Sequence, residues 1–275
     1  MSNLGDAFRD RVVVLTGASR GIGRALALQL AGQGARLALA ARGGDQGGSD
    51  LRDLAAECER RGGRAVAIPC DVADEAQCAA LIARTVEAFG QIDTLINNAG
   101  ISMWALFEQV TDLSIFEQIM RVNYLGSVYC TWYALPYLKE TRGRLVAVAS
   151  LTGKTGVPTR SGYAASKHAM VGFFDTLRIE LADSGVSVTV ACPDFVATEI
   201  RERAFGPDGK PLGTSPVMES KVMTAETCAR LILDGAARRK RELILSGRGK
   251  LGLWLKLFAP GLIDRIAGKA IREGR

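Results

Sequence analysis

Short, nearly continuous apolar runs alternate along the chain with longer stretches in which apolar positions return every three to four residues. The runs Val12 to Leu15, Arg36 to Ala41, Ala65 to Pro69, Thr94 to Ile96, Arg144 to Ala149, Val186 to Ala191 and Glu242 to Ser246 predict strands. Their continuity implies burial on both faces, as in parallel strands covered by helices. Between them the pattern predicts helices over roughly Gly21 to Ala31, Asp50 to Arg61, Glu75 to Phe89, Leu113 to Leu138, Gly162 to Asp183 and Ala225 to Ala236. Seven strands alternating with six helices predict one doubly wound α/β domain, a seven-stranded parallel sheet with helices on both faces. That domain is expected over residues 1–246, followed by a basic amphipathic extension over 247–275.

Two segments interrupt the rhythm: Gly43 to Ser49 (GGDQGGS), after the second strand, and a long insertion from Asp194 to Thr224, after the sixth. Ligands of open α/β sheets bind outside the carboxyl ends of the strands, so both segments fall on the edge where binding is expected. Long loops there are often lids or substrate loops.

Composition narrows the class. With 48% hydrophobic residues the chain is expected to be globular rather than disordered. Six cysteines without a C-x-x-C pair, beside a single histidine, offer no metal-ligand spacing and read as buried thiols. Neither a secretory leader nor a membrane-spanning run is visible, so the expected location is the cytoplasm. Charge is unevenly placed: of the net +6, the last 40 residues hold 11 basic and 3 acidic side chains, leaving the other 235 at −2. Nucleic acid is not an expected partner, since no basic stripe interleaved with aromatics accompanies the charge. The tail, ending KLGLWLKLFAPGLIDRIAGKAIREGR, reads as helical with a break near Pro260. It can lie peripherally on an anionic membrane, cap the domain or form an oligomer contact.

Candidate chemistry begins after the first strand, at Thr16-Gly17-Ala18-Ser19-Arg20-Gly21-Ile22-Gly23. A strand, a glycine-rich turn and a helix suit a dinucleotide pyrophosphate: glycines let the backbone approach, and the helix start offers free N–H groups. The second strand then ends Ala41-Arg42, without the carboxylate that usually holds the ribose of NAD. Arg42 and Arg20 can instead grip a 2′-phosphate, so NADP(H) is the expected cofactor; the other reading of Arg42 is a solvated surface charge. Tyr163 and Lys167 stand four residues apart on a predicted helix and so share one face. A nearby ammonium favours the phenolate and brings a tyrosine toward acid–base work at neutral pH.

Together, Thr16-Gly17-x-x-x-Gly21-x-Gly23, Asn97-Asn98-Ala99-Gly100, Asn123, Ser150 and Tyr163-x-x-x-Lys167 resemble, in order and spacing, the short-chain dehydrogenase/reductase family over about residues 10 to 246. The stretch from Ser150 to Leu181 is also similar to the branch that holds the 11β-hydroxysteroid dehydrogenases. The resemblance implies a Rossmann-type fold and hydride transfer between a nicotinamide and a carbonyl or secondary alcohol. It implies Tyr163 as acid or base, Lys167 as its partner and a ligand of the nicotinamide ribose, Ser150 as holder of the carbonyl oxygen, and Asn123 as binder of a relay water. For the cofactor it implies Gly17, Ser19, Arg20, Gly21, Ile22 and Gly23 at the pyrophosphate, and Asp71 and Val72 at the adenine. It further implies Asn98, Ala99 and Gly100 beside the adenosine ribose, and Val196 and Thr198 near the carboxamide or a phosphate. One departure stands out: the family often has Pro-Gly after the sixth strand, where this chain has Pro193-Asp194. No metal is expected. Met103, Trp104, Val157 and Phe195 favour a lipophilic ketone or aldehyde as substrate, and a homodimer or homotetramer is the expected assembly. His168 points away from the catalytic face and reads as structural. The rival is an NADP-binding regulator that kept the fold and lost the chemistry; an intact Asn/Ser/Tyr/Lys set argues against it.

Overall fold

In the first strand, β1 (Val12–Thr16), successive side chains enter different cores: Val13 and Leu15 join one, Val14 the other. β2 (Arg36–Ala41) and β5 (Arg144–Val148) divide their apolar side chains the same way, which is why these runs carry almost no polar positions. The computed structural model describes residues 7–43, 48–214 and 222–272. Its main sheet has seven strands in the order β3-β2-β1-β4-β5-β6-β9, all parallel. The added strands are β3 (Arg64–Pro69), β4 (Thr94–Asn97), β6 (Ser187–Cys192) and β9 (Glu242–Ile244).

Helices α1 (Gly21–Ala31), α2 (Gly48–Arg60) and α7 (Ala225–Ala237) cover one face, burying Leu26, Leu30, Leu51, Leu54 and Ile232. On the other face α3 (Glu75–Phe89), α5 (Gly126–Glu140) and α6 (Ser161–Glu180) bury Leu81, Leu138, Met170 and Phe174. The expected doubly wound Rossmann-type sheet is therefore present, and its order reverses between β1 and β4, the usual place for a nucleotide crevice. All six cysteines are buried thiols.

Three differences from the sequence pattern matter for the site. The single helix predicted over Leu113 to Leu138 is α4 (Ser114–Met120), a π-helical turn over Arg121–Leu125, and α5. Hydrophobic periodicity cannot register one widened turn, yet that turn carries Asn123. The insertion after β6 is not structureless where it is described: β7 (Val196–Ala197) pairs with β8 (Met223–Thr224), and Phe205 bridges to Met103. Residues 215–221 of that insertion, and 44–47 of the connection after β2, lie outside the described residues. Finally, the extension forms two helices, α8 (Gly247–Phe258) and α9 (Pro260–Arg272), broken at Ala259 as Pro260 predicts.

The extension is tied to the domain edge through Asp194, the residue that departs from the Pro-Gly pattern. Asp194 accepts hydrogen bonds from Ser246 Oγ (2.9 Å) and Arg248 Nη2 (3.0 Å), holding the start of α8 against the end of β6. Ser246 in turn accepts from the Gly249 amide and caps the helix. Further along, Lys256 Nζ donates to the Lys154 carbonyl (2.8 Å). Among the described residues no helix is long and apolar enough to cross a membrane.

Candidate active site

The carboxyl ends of β1 and β4 are sewn together by Thr16 and Asn98. Thr16 Oγ1 accepts from the amides of Asn98 (3.0 Å) and Ala99 (3.1 Å), while Asn98 Nδ2 donates to the carbonyls of Thr16 and Gly17. The Asn98 side chain thus shapes the glycine turn, and its amide donors are already engaged there. Gly17 takes φ +63°, and a Cβ on it would lie 2.7 Å from Ala99 Cα. At Gly23 a Cβ would fall 2.0 Å from the Gly17 carbonyl oxygen, so no other residue fits. α1 starts here with no side-chain cap and no acidic residue in its first turn, which leaves its amides for an anion. The bare glycine cradle and the uncapped helix start fit a pyrophosphate. Ser19 and Gly21 line the cavity beside this turn. Ile22 packs into the core behind it, and Thr198 lies against Gly21, where a Cβ would meet its Cγ2 at 3.0 Å.

The residues read as phosphate-gripping have different surroundings. Arg42 is exposed at the end of β2. Arg20 is held by Asp50, 3.1 Å from Nη2, and faces Glu199 at 3.7 Å, so a 2′-phosphate would have to take the place of Asp50. At the end of β3, Val72 is buried against Gly126, while Asp71 accepts from the Ala73 amide (3.0 Å) and shapes that turn. Val196 is buried in β7, with its carbonyl bound to Arg201 Nη1 (2.9 Å).

The chemistry-bearing residues come from three neighbouring elements. Ser150 follows β5, where its Oγ accepts from the Thr152 amide (3.2 Å) and caps a short 3-10 turn. Tyr163 and Lys167 lie one turn apart on α6 and are both buried, the ammonium 5.8 Å from the phenol ring centre. Lys167 Nζ donates to the Val148 carbonyl (3.0 Å). Asn123 is wholly buried in the π-helical turn: Oδ1 accepts from the Ile101 amide (2.8 Å), and Nδ2 donates to the Ile101 carbonyl and Ser166 Oγ. Gly100 runs between the two groups, since a Cβ there would sit 3.2 Å from Asn123 Oδ1 and 3.6 Å from Lys167 Nζ. The Asn123 amide therefore fastens the segment after β4 to α6, and both of its donors are taken.

Burial dominates the protonation of this group. It raises the Tyr163 pKa, with Arg160 and the Ser150 hydroxyl pulling in the opposite direction. Burial also lowers Lys167 to about 8. The lowered phenol expected from the ammonium is absent: the cation that draws the tyrosine down is Arg160, and it does not overcome desolvation. A neutral phenol is a proton donor, the state that carbonyl reduction needs.

Among the expected pocket residues, Met103 is fully buried with Ile115 and Ile119 beneath Tyr163, and its sulfur accepts from the Gly162 amide (3.2 Å). Trp104 and Phe195 flank the Arg160 guanidinium, at 4.5 and 5.4 Å from their ring centres. Arg160 escaped the motif reading; its only sequence signal is a basic residue three positions before Tyr163. His168 Nδ1 lies 2.9 Å from the Ala164 carbonyl, a contact within its own helix that fits a structural role.

A model described as short chain dehydrogenase matches residues 11–207. The chain is 33% identical over 269 residues to dehydrogenase/reductase SDR family member 7B of Mus musculus, covering 97% of this chain and 83% of that protein. It is 37% identical over 257 residues to 11-beta-hydroxysteroid dehydrogenase-like 4A of Arabidopsis thaliana, covering 92% and 82%. A short chain dehydrogenase/reductase from Burkholderia phymatum, solved in complex with NAD, superposes with a TM-score of 0.79 at 25% identity, covering 93% of this chain and 96% of that one.

Proposed function

The chain belongs to the short-chain dehydrogenase family of oxidoreductases, and from that premise we propose that it is an NADP(H)-dependent enzyme reducing a lipophilic ketone or aldehyde, or oxidising the matching alcohol. The observation that carries this reading is the gathering of Ser150, Tyr163 and Lys167, braced by Asn123, at the strand edge where the glycine cradle opens. When bound, the nicotinamide supplies or accepts the hydride. Gly17 to Gly23 would hold the pyrophosphate, Asp71 and Val72 the adenine end, Ala99 and Gly100 the adenosine ribose, and Val196 and Thr198 the nicotinamide side. Tyr163 gives its phenolic proton to the carbonyl oxygen, and Ser150 Oγ donates a hydrogen bond to that same oxygen. Lys167, still largely protonated at pH 7, stabilises the phenolate left behind and binds the ribose. Asn123 holds the backbone of the Ile101 segment in place; a relay water would meet its backbone or the second lone pair of Oδ1.

NADP(H) is favoured over NAD(H) because Ala41-Arg42 offers no carboxylate to ribose hydroxyls and an exposed guanidinium to a phosphate. Comparing Michaelis constants tests it: NADPH should bind at least about tenfold more tightly than NADH. A preference for NADH would overturn the assignment.

The faces of α8 and α9 turned away from the domain support a further part of the reading. Leu251, Trp254, Leu257, Phe258, Leu262 and Ile266 are exposed, amid the basic excess of the tail. Peripheral attachment to an anionic membrane surface suits both properties. A homodimer or homotetramer is also part of this proposal.

A further inference from the structure

Arg160 precedes Tyr163 by one helical turn and is only 7% exposed. Its guanidinium carbon lies 4.5 Å from the Trp104 ring centre, 5.4 Å from Phe195 and 5.8 Å from Tyr163, so aromatic faces surround it. Those rings come from the segments after β4 and β6 and from α6, and the glycine cradle contributes none of them. Nε is buried without a hydrogen-bond partner, and among the described residues no carboxylate pairs with this side chain. Among the described residues the groups that act on it are the Tyr163 phenol and Arg201, and Arg201 has the same sign. A desolvated guanidinium with no counter-ion is unfavourable, and aromatic faces offset only part of that cost. Arginine's planar fork matches a carboxylate or phosphate in two parallel hydrogen bonds.

We propose that Arg160 is the specificity-determining residue of this site and that the substrate carries an anionic group, a carboxylate or a phosphate ester, a few bonds from the carbonyl that Tyr163 protonates. This rests on the reductase reading above. It adds to the lipophilic reading an anionic head, with Trp104 and Phe195 packing the carbon skeleton beside the charge. The cofactor's own phosphates are assigned elsewhere, to the Gly17 to Gly23 turn and Arg42, so they do not supply the counter-ion that Arg160 lacks among the described residues.

Two matched pairs test the proposal with NADPH in excess: a keto acid against its methyl ester, and a phosphorylated hydroxyketone against its dephosphorylated form. The wild type should favour the anionic member of one pair by about 10- to 100-fold in kcat/KM, and the pair that responds identifies the anion. In Arg160→Met that ratio should fall toward one through a raised KM for the anionic member. Arg160→Lys keeps a point charge and should retain part of the preference; it also serves if the methionine variant does not fold. Equal kcat/KM within both pairs, or a preference that survives in Arg160→Met, overturns the proposal. A readout independent of turnover separates it from the reductase reading. Inorganic phosphate or acetate added to the NADPH complex should raise the Tm of the wild type more than that of Arg160→Met. Identical shifts in the two proteins overturn the anion site. A retained difference without NADPH oxidation on any carbonyl counts against the reductase reading and leaves the anion site standing.

Discussion

Burial of Lys167 under the Val148 carbonyl sets how the site responds to pH. Its pKa of about 8 lies below the ordinary 10.5, so folding disfavours the ammonium. This group's burial penalty is full below about pH 8 and is relieved as pH rises toward 10.5, so its contribution to stability grows across that window. Function runs the other way. Above about 8 the amine becomes neutral and stops stabilising the Tyr163 phenolate, so kcat/KM for carbonyl reduction should fall on the alkaline side with an apparent pKa near 8. A pH–rate profile checks this, and a rate flat to pH 10 would contradict it. The glycine turn and the shared helix face of Tyr163 and Lys167 were legible from spacing, whereas the roles of Asn123, Ser150, Tyr163 and Lys167 came from the family resemblance. Whether Tyr163 or Lys167 bears the larger desolvation was not legible, since it depends on what the fold packs over α6. Arg160 was missed for the same reason: its setting among aromatic rings, with no carboxylate paired to it among the described residues, exists only in three dimensions.

At the level of elements, periodicity found every strand of the main sheet within a few residues, because buried parallel strands leave a continuous apolar run. It merged α4, the π-helical turn and α5, since a single widened turn shifts the apolar phase too little to be seen. It also left Asp194 as an unexplained departure. In three dimensions Asp194 is the anchor of α8, 14% exposed on its side chain and bonded to Ser246 and Arg248. Arg248 is mostly exposed, so solvent screens its share, and the Ser246 hydrogen bond carries most of the effect. Asp194→Ala should cost about 1 kcal/mol in stability and loosen α8. Hydrogen exchange should show faster exchange over 247–258 with β1 and β4 unchanged. Unaltered protection of α8 would mean that its docking rests on other contacts, such as Lys256 with Lys154.

Across the whole molecule, a slightly acidic body carries a basic, partly apolar tail, and the structure joins the two at the same sheet edge that holds the proposed catalytic residues. The chain should sediment with anionic liposomes at low salt and be released as salt screens the tail. Replacing Trp254 and Phe258, exposed and in tilted ring contact at 5.1 Å, by glutamate should abolish that binding. Failure to sediment at low salt would restrict the tail to capping or oligomer contacts. The central claim is more specific: this fold transfers hydride with Tyr163 as the proton donor. NADPH oxidation should be followed over a panel of lipophilic ketones and aldehydes for the wild type and Tyr163→Phe, with NADPH affinity measured in parallel. Loss of the phenolic proton should lower kcat by about a thousandfold or more while NADPH binding is retained. Unchanged turnover in Tyr163→Phe would contradict the account.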